Sequence, residues 1–191
     1  MSNPSFINFL LAFFLIYNSA SCQTKKTKEI NTCIVSKSVN NYYSTIKGDS
    51  LVYLIAKSSD ECNLKLVDSL IENFIRNGGK QDYEMLQNLS NLSDGYLSEY
   101  FVEKISKIYN KKFVLFFDYL YSSHTKKVKN NLENFLIESW SSTASLSDNT
   151  EKEIKNIKSK TIKAVTASKG NKDKLVYLAT LLNKINPNYL D

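Results

Sequence analysis

The sequence contains few residues that break helices. Its 191 residues include 5 glycines and 2 prolines, and the prolines, Pro4 and Pro187, lie near the two ends. Glycine and proline mark most of the turns that a strand-rich fold needs. Their scarcity argues against such a fold and favours long helices.

Arginine is equally scarce, with Arg76 as the single example, so the formal net charge of +6 is carried by lysine. Arginine makes most of the bidentate contacts by which proteins recognise phosphates and bases. We therefore expect no nucleic-acid partner. The lysine excess has two interpretations: attraction to anionic lipids or acidic partners, or a solvated surface without a specific role.

The motifs of common active sites and cofactor sites are also missing. The sequence has no P-loop, GxGxxG, GxSxG or HExxH pattern and no CxxC spacing. His124 is the one imidazole available as a general base, and the carboxylates of Glu99 and Glu103 lie one helical turn apart. A loop position explains the histidine and a solvated helix face explains the carboxylates. We predict a protein that is not an enzyme and holds no metal or cofactor.

The N-terminus does have a distinctive pattern. Residues 1–21 carry no charged side chain, and residues 6–17 are mostly apolar. A membrane-spanning helix needs about 20 apolar residues, so this run is too short to span and fits the apolar core of a signal peptide. The small residues Ser19, Ala20 and Ser21 then precede Cys22.

This pattern resembles the lipobox of bacterial lipoproteins, in which the cysteine receives a diacylglyceryl group and the chain is cut just before it. Ala20, Ser21 and Cys22 match the family, whereas Ser19 stands where it usually has leucine and the n-region lacks lysine and arginine. The resemblance covers residues 1–22. It implies an exported protein, lipidated on Cys22 and held at a bacterial membrane in the periplasm or at the cell surface. Simple secretion is one alternative, because the same residues also fit an ordinary signal peptidase site, and an uncleaved anchor is the other.

Three cysteines are present, and lipidation of Cys22 would leave Cys33 and Cys62. In an oxidising compartment these two can form a disulfide. The alternative is a pair of buried free thiols, because free cysteine behaves as a small apolar residue.

Residues 22–32 are predicted to be a polar tether between the lipid and a single domain, residues 33–191. Lys25, Lys26 and Lys28 lie beside the proposed lipid, where they would contact an anionic membrane surface.

Several helices are predicted within the domain. Ser58 and Glu61 form a capping-box pattern, and Gly78-Gly79 is a typical helix end. A helix starting at Asp94 is predicted to stop at Asn110 and to be followed by a separate apolar element, residues 112–122. That element contains Asp118, which we expect to face a groove or to pair with a lysine.

The C-terminal half is predicted to contain a helix opening at Thr125, a serine-rich loop over residues 141–147, a lysine-rich helix over 148–170 and a last helix ending at Asn186-Pro187. The twelve tyrosines are expected at core edges or on a binding surface.

These patterns predict an all-α fold of about seven helices. The helix starts recur at intervals typical of stacked helical hairpins, as in TPR or HEAT-like solenoids, and an irregular helical bundle is the alternative. The most consistent function is a membrane-tethered, non-catalytic module of the cell envelope that binds another envelope protein or acts as a scaffold. An exported immunity or inhibitor protein, or a hydrolase acting on envelope polymers, are the alternatives.

Overall fold

The computed structural model describes residues 59–190. Within this range the chain is all-helical and has no strand, which confirms the predicted fold class. The six helices are α1 (Asp60–Asn77), α2 (Lys80–Leu92), α3 (Gly95–Thr125), α4 (Leu132–Ser145), α5 (Thr150–Ala167) and α6 (Lys172–Leu182). They pack as a bundle, which was the alternative to stacked hairpins. The predicted signal peptide, the tether and the helical segments before residue 58 lie outside the described residues.

The longest helix, α3, is the centre of the bundle and packs mainly against α1 and α4. Phe101 stacks on Phe135 of α4, with ring centroids 5.4 Å apart. Further along α3, Phe116 meets Phe74 of α1 edge-on at 5.9 Å. Complete burial of one such side chain contributes roughly 1.5–3 kcal/mol, so these contacts hold α3 against both neighbours.

The predicted boundary after Asn110 is confirmed, because α3 consists of two helical segments that meet at a kink at Lys112. The buried residues of α3 recur every three or four positions up to Ile108, but the next one is Phe113, five positions later. A regular helix would place residue 113 off the buried face. The backbone of Lys112, at φ −141° and ψ 27°, leaves the helical conformation and returns Phe113 to the core. The two segments of α3 therefore meet within two residues of the predicted stop at Asn110.

The predictions for α1 are largely confirmed. Val67, Leu70, Ile71 and Phe74 form its buried stripe. Gly78 ends the helix in the left-handed conformation, at φ 67°, and donates its N–H to the carbonyl of Phe74. The capping box is not observed at the described positions: Ser59 is the N-cap without a side-chain hydrogen bond, Glu61 pairs with Lys65, and Ser58 lies outside the described residues.

The predicted start of the next helix at Thr125 is wrong, because α4 begins at Leu132. Residues 126–131 form a loop that hydrogen bonds hold to α2. Asn130 Nδ2 donates to the Tyr83 hydroxyl at 2.6 Å, and Gln87 Nε2 donates to the Lys129 carbonyl at 2.8 Å. These bonds satisfy polar groups of the loop, in which Val128 is 50% exposed.

Most of the predicted serine-rich loop is helical instead, because α4 extends to Ser145. Ser141 donates its hydroxyl to the Ile137 carbonyl, one turn earlier, and accepts the backbone N–H of Asn186 at 2.9 Å. Ser145 donates to the carbonyl of Pro187 at 3.1 Å. The serines of α4 therefore attach the C-terminal segment to the bundle.

The last two helices agree well with prediction. Ile157, Thr161 and Val165 are the buried stripe of α5, and α6 ends at Leu182, shortly before Asn186 and Pro187. In the described part of the chain, every helix is too short or too polar to cross a membrane.

Candidate functional site

Two cavities lie on either side of one contact between α3 and α5. Lys160 of α5 donates from its Nζ to the Oδ1 of Asn110 at 3.2 Å, and its Nζ lies 4.8 Å from the centre of the Tyr109 ring. All three residues line both cavities. The contact therefore joins the helix just before the Lys112 kink to α5 and separates the two spaces.

The first cavity, which we call the kink groove, has a volume of about 480 Å³. Its apolar wall comprises Phe113, Val114, Leu115 and Ala164, of which Phe113 is buried and the others are half-buried. Its basic residues are Lys111, Lys112 and Lys160. An apolar wall beside several cations suits a ligand that is partly apolar and partly acidic.

Asp118 also lines the kink groove. Its carboxylate accepts a hydrogen bond from Lys174 of α6 at 2.7 Å. Both expectations for Asp118, a groove and a lysine partner, are therefore confirmed. Because Lys174 already neutralises Asp118, no carboxylate within residues 59–190 compensates the charge of Lys111, Lys112 and Lys160 in the groove.

The second cavity, which we call the tryptophan cavity, also has a volume of about 480 Å³ and lies between α3, α4 and α5. Ile157 is the one lining residue without a hydroxyl, amide, indole or charged group. Trp140 of α4 is 1% exposed, and its ring packs edge-on against Tyr109 with centroids 5.7 Å apart.

Two buried polar atoms at this cavity have no hydrogen-bond partner: Nε1 of Trp140 and the hydroxyl of Tyr109. The one further atom of this kind in the described range is Oδ1 of Asp68 on α1. Burial, and secondarily the negative charge of Glu153, raise the pKa of Tyr109 to about 12, so its hydroxyl is protonated at neutral pH.

Helix α5 is the most basic surface near both cavities. It carries five lysines, at positions 152, 155, 158, 160 and 163, against two glutamates in its first turn. None of these lysines forms a salt bridge within residues 59–190. This positive charge is therefore available to an external partner.

The residues considered for catalysis are not brought together. The ring of His124 stacks on Tyr177 at 4.3 Å, and Glu103 pairs with Lys104. Glu99 is exposed on the same helix. Among the described residues there is also no group of three or more histidine, cysteine or carboxylate side chains placed to hold a metal ion.

The predicted lipid and membrane residues, Cys22, Lys25, Lys26 and Lys28, lie outside the described residues, as does Cys33. Cys62 is buried in α1 and is disulfide-bonded. Its pairing with Cys33 stays a prediction.

Sequence reasoning identified Asp118 and the lysine-rich helix but missed Tyr109, Asn110 and Trp140 as residues of one site. The available signal was the five-residue step between Ile108 and Phe113, which marks the kink. The comparisons with known proteins add no further assignment, because no protein family, curated protein or solved structure matches this chain.

Proposed function

We propose that this chain is an exported, membrane-tethered, non-catalytic binding protein whose kink groove receives an acidic segment of another envelope protein. The observation that carries the proposal is the kink groove itself, where an apolar wall and uncompensated lysines lie together.

The charges of the groove favour an acidic occupant. Lys111 and Lys112 have no salt-bridge partner in the described range, whereas the carboxylate of Asp118 is paired with Lys174. Aspartate or glutamate side chains of a partner would supply the missing negative charge. Apolar side chains between them would contact Phe113, Val114 and Leu115.

Two features support export and tethering. The residues before Cys22 resemble a lipobox, and Cys62 is disulfide-bonded. Disulfides persist in oxidising compartments such as the bacterial periplasm and the cell surface, and they are rare in the cytosol. A lipid on Cys22 would hold the helical bundle near the membrane, with residues 22–32 as the connection.

Binding is tested by fluorescence anisotropy with a labelled peptide that combines glutamate and leucine, and with its counterpart in which glutamine replaces each glutamate. We expect the wild-type chain to prefer the acidic peptide. Replacing Lys111 and Lys112 by glutamine should weaken binding about five- to tenfold, because a charge contact at an exposed site contributes up to about 1 kcal/mol.

The matched control replaces Lys152 and Lys155 by glutamine. This variant loses the same charge from α5 residues that line neither cavity, and its affinity should change less than about twofold. Equal loss in both variants, or equal affinity for both peptides, would contradict a specific role of the groove.

The tether is tested by mass spectrometry of the mature N-terminal peptide after expression in a bacterial host. We expect a diacylated Cys22 in the membrane fraction. An unmodified Cys22 in the soluble fraction would contradict the tether and leave the groove hypothesis to stand on the peptide measurement.

A further inference from the structure

We propose that the tryptophan cavity is a second binding site, for a small hydroxylated ligand that carries one acidic group, such as a sugar acid or a sugar phosphate. The site is separate from the kink groove and does not depend on the proposed protein partner.

The strongest observation is the concentration of unpartnered donors. Nε1 of Trp140 can only donate a hydrogen bond and has no acceptor. The residue is 1% exposed. The hydroxyl of Tyr109 is the second buried polar atom without a partner at the same cavity. An unsatisfied buried donor costs about 1–3 kcal/mol. Both atoms are covered by neighbouring atoms, which must move aside before acceptor oxygens of a ligand in the cavity can reach the donors and remove that cost.

The cavity also offers acceptors. Thr143 donates its hydroxyl to the Ser139 carbonyl at 2.8 Å, and Ser106 donates to the Glu103 carbonyl at 2.7 Å. A hydroxyl that donates to the backbone keeps lone pairs for another donor. Hydroxyl groups of a ligand can therefore donate to these residues while accepting from Trp140 and Tyr109.

The charges of the cavity favour one negative group on the ligand. Lys160 and Lys163 contribute two positive charges and Glu153 contributes one negative charge, so the lining has a net charge of +1. Glu153 already accepts a hydrogen bond from Asn156 Nδ2 at 3.2 Å. The cavity volume of about 480 Å³ lies within the range of small-molecule sites, about 300–1,000 Å³.

Trp140 is the single tryptophan of the chain and lines this cavity, so its fluorescence is a probe of ligand binding there. The purified full chain is titrated with glucuronate, glucose 6-phosphate, glucose and inorganic phosphate. We expect a saturable change in emission with at least one of the two acidic sugars. Glucose lacks the acidic group and inorganic phosphate lacks the sugar hydroxyls, so each should bind at least about tenfold more weakly.

Calorimetry then gives affinities that do not depend on the fluorophore. Trp140→Phe keeps an aromatic ring but removes Nε1, and Lys163→Gln removes one positive charge. Each should weaken binding of the preferred sugar about five- to tenfold, whereas the control Lys172→Gln, outside the cavity, should leave it unchanged. Circular dichroism verifies that each variant is folded.

Three results would overturn the proposal. One is the absence of a saturable response to both acidic sugars. Another is binding that Trp140→Phe and Lys163→Gln leave unchanged, which would mean that water satisfies the unpartnered donors. The third is equal affinity for inorganic phosphate, which would reduce the site to a nonspecific attraction of anions by lysine.

Discussion

The side chains of Tyr109 and Trp140 pack edge-on, with ring centroids 5.7 Å apart and planes at 78°, and each carries a buried polar atom without a hydrogen-bond partner. The pair joins α3 to α4 next to the kink at Lys112. Most buried polar groups in proteins are satisfied, so two unsatisfied atoms in one contact identify this place as different from the rest of the core.

Tyr109→Phe tests the state of that hydroxyl. At pH 8 the variant should be as stable as the wild type or more stable by up to about 1 kcal/mol, because it removes an unsatisfied polar atom. The tyrosine ionises near pH 10 in the unfolded chain and at about 12 in the folded one. Between these values the unfolded state has lost a proton that the folded state keeps, so the wild type loses stability as pH rises.

The phenylalanine variant lacks this titration. Its free energy of unfolding should therefore exceed that of the wild type by a margin that grows from pH 10 upward. Urea unfolding at pH 8, 10 and 11 measures the difference. An advantage that stays constant or shrinks over this range would show that Tyr109 ionises normally in the folded protein.

Gly78 and Gly95 form a matched pair for testing the α1 cap. Both have positive φ, at +67° and +44°, but a Cβ at Gly78 would lie 2.4 Å from Cδ2 of Leu115, whereas a Cβ at Gly95 would meet nothing within 4 Å. We expect Gly95→Ala to cost about 1 kcal/mol from backbone strain alone. Gly78→Ala should cost about 2 kcal/mol, because Leu115 must also move.

Denaturant unfolding measures both variants. An equal loss in the free energy of unfolding would mean that Leu115 moves away from the added Cβ without an energetic penalty. Because Leu115 lines the kink groove, Gly78→Ala should also weaken binding of the acidic peptide. Gly95→Ala should leave that binding unchanged.

Tyr177→Phe tests a buried link between α6 and α4. The Tyr177 hydroxyl donates to Oε2 of Glu133 at 2.7 Å, and the side chain is 5% exposed. Hydrogen bonds to charged groups contribute about 1.5–3 kcal/mol. Glu133 keeps Lys184 as a partner, so we expect a loss of about 1–2 kcal/mol in the free energy of unfolding.

The control is Tyr189→Phe, which removes a 3.4 Å bond to Glu138 from an exposed tyrosine. Its effect should stay below about 0.5 kcal/mol. If both variants lost the same free energy of unfolding, the bond between Tyr177 and Glu133 would contribute no more than a surface contact.

The cysteine prediction is tested by thiol counting in the denatured, unreduced mature chain. Lipidation of Cys22 and a bond between Cys33 and Cys62 would leave no free thiol. Cys33→Ser should then release one thiol at Cys62 and lower the free energy of unfolding by about 3–4 kcal/mol, the value for closing a loop of roughly 30 residues.

Cys62→Ser should lower the free energy of unfolding by a similar amount. The variant that carries both Cys33→Ser and Cys62→Ser should lose no more than either single variant. A Cys33→Ser chain in which Cys62 stays bonded would place its partner at Cys22 or in another chain. That result would contradict the lipid on Cys22 or the internal bond.

The fold class and several helix ends follow from local pattern. The apolar stripe of α1 and the glycine at its end are local signals, and both are observed. The boundary inside α3 also has a local signal, because the five-residue step between Ile108 and Phe113 marks the place where its two segments meet. The backbone at Lys112 corrects the phase, so that the buried residues of both segments face the core.

The serine-rich part of α4 illustrates a different limit. Serine is frequent in loops, yet the hydroxyls of Ser141 and Ser145 are used by the C-terminal segment, which lies 42 to 45 positions away along the chain. Tertiary hydrogen bonds of this kind have no local signal. The candidate site also lacks a local signal, because Asn110 and Lys160 are 50 residues apart and are brought together by the packing of both α3 and α5 against α4.

The central claim, that a tethered bundle holds an acidic partner in the kink groove, is tested most directly by site-specific photo-cross-linking in the organism that encodes the chain. Benzoylphenylalanine is placed at Val114 in the groove and, as a control, at the exposed Thr166 of α5. We predict one adduct in the membrane fraction, formed from Val114 and not from Thr166. The cross-linked peptide of the partner should be acidic. The adduct should disappear when Lys111 and Lys112 are replaced by glutamine. Cross-linking of equal strength from Thr166, a neutral or basic cross-linked peptide, or no adduct at Val114 would contradict the account.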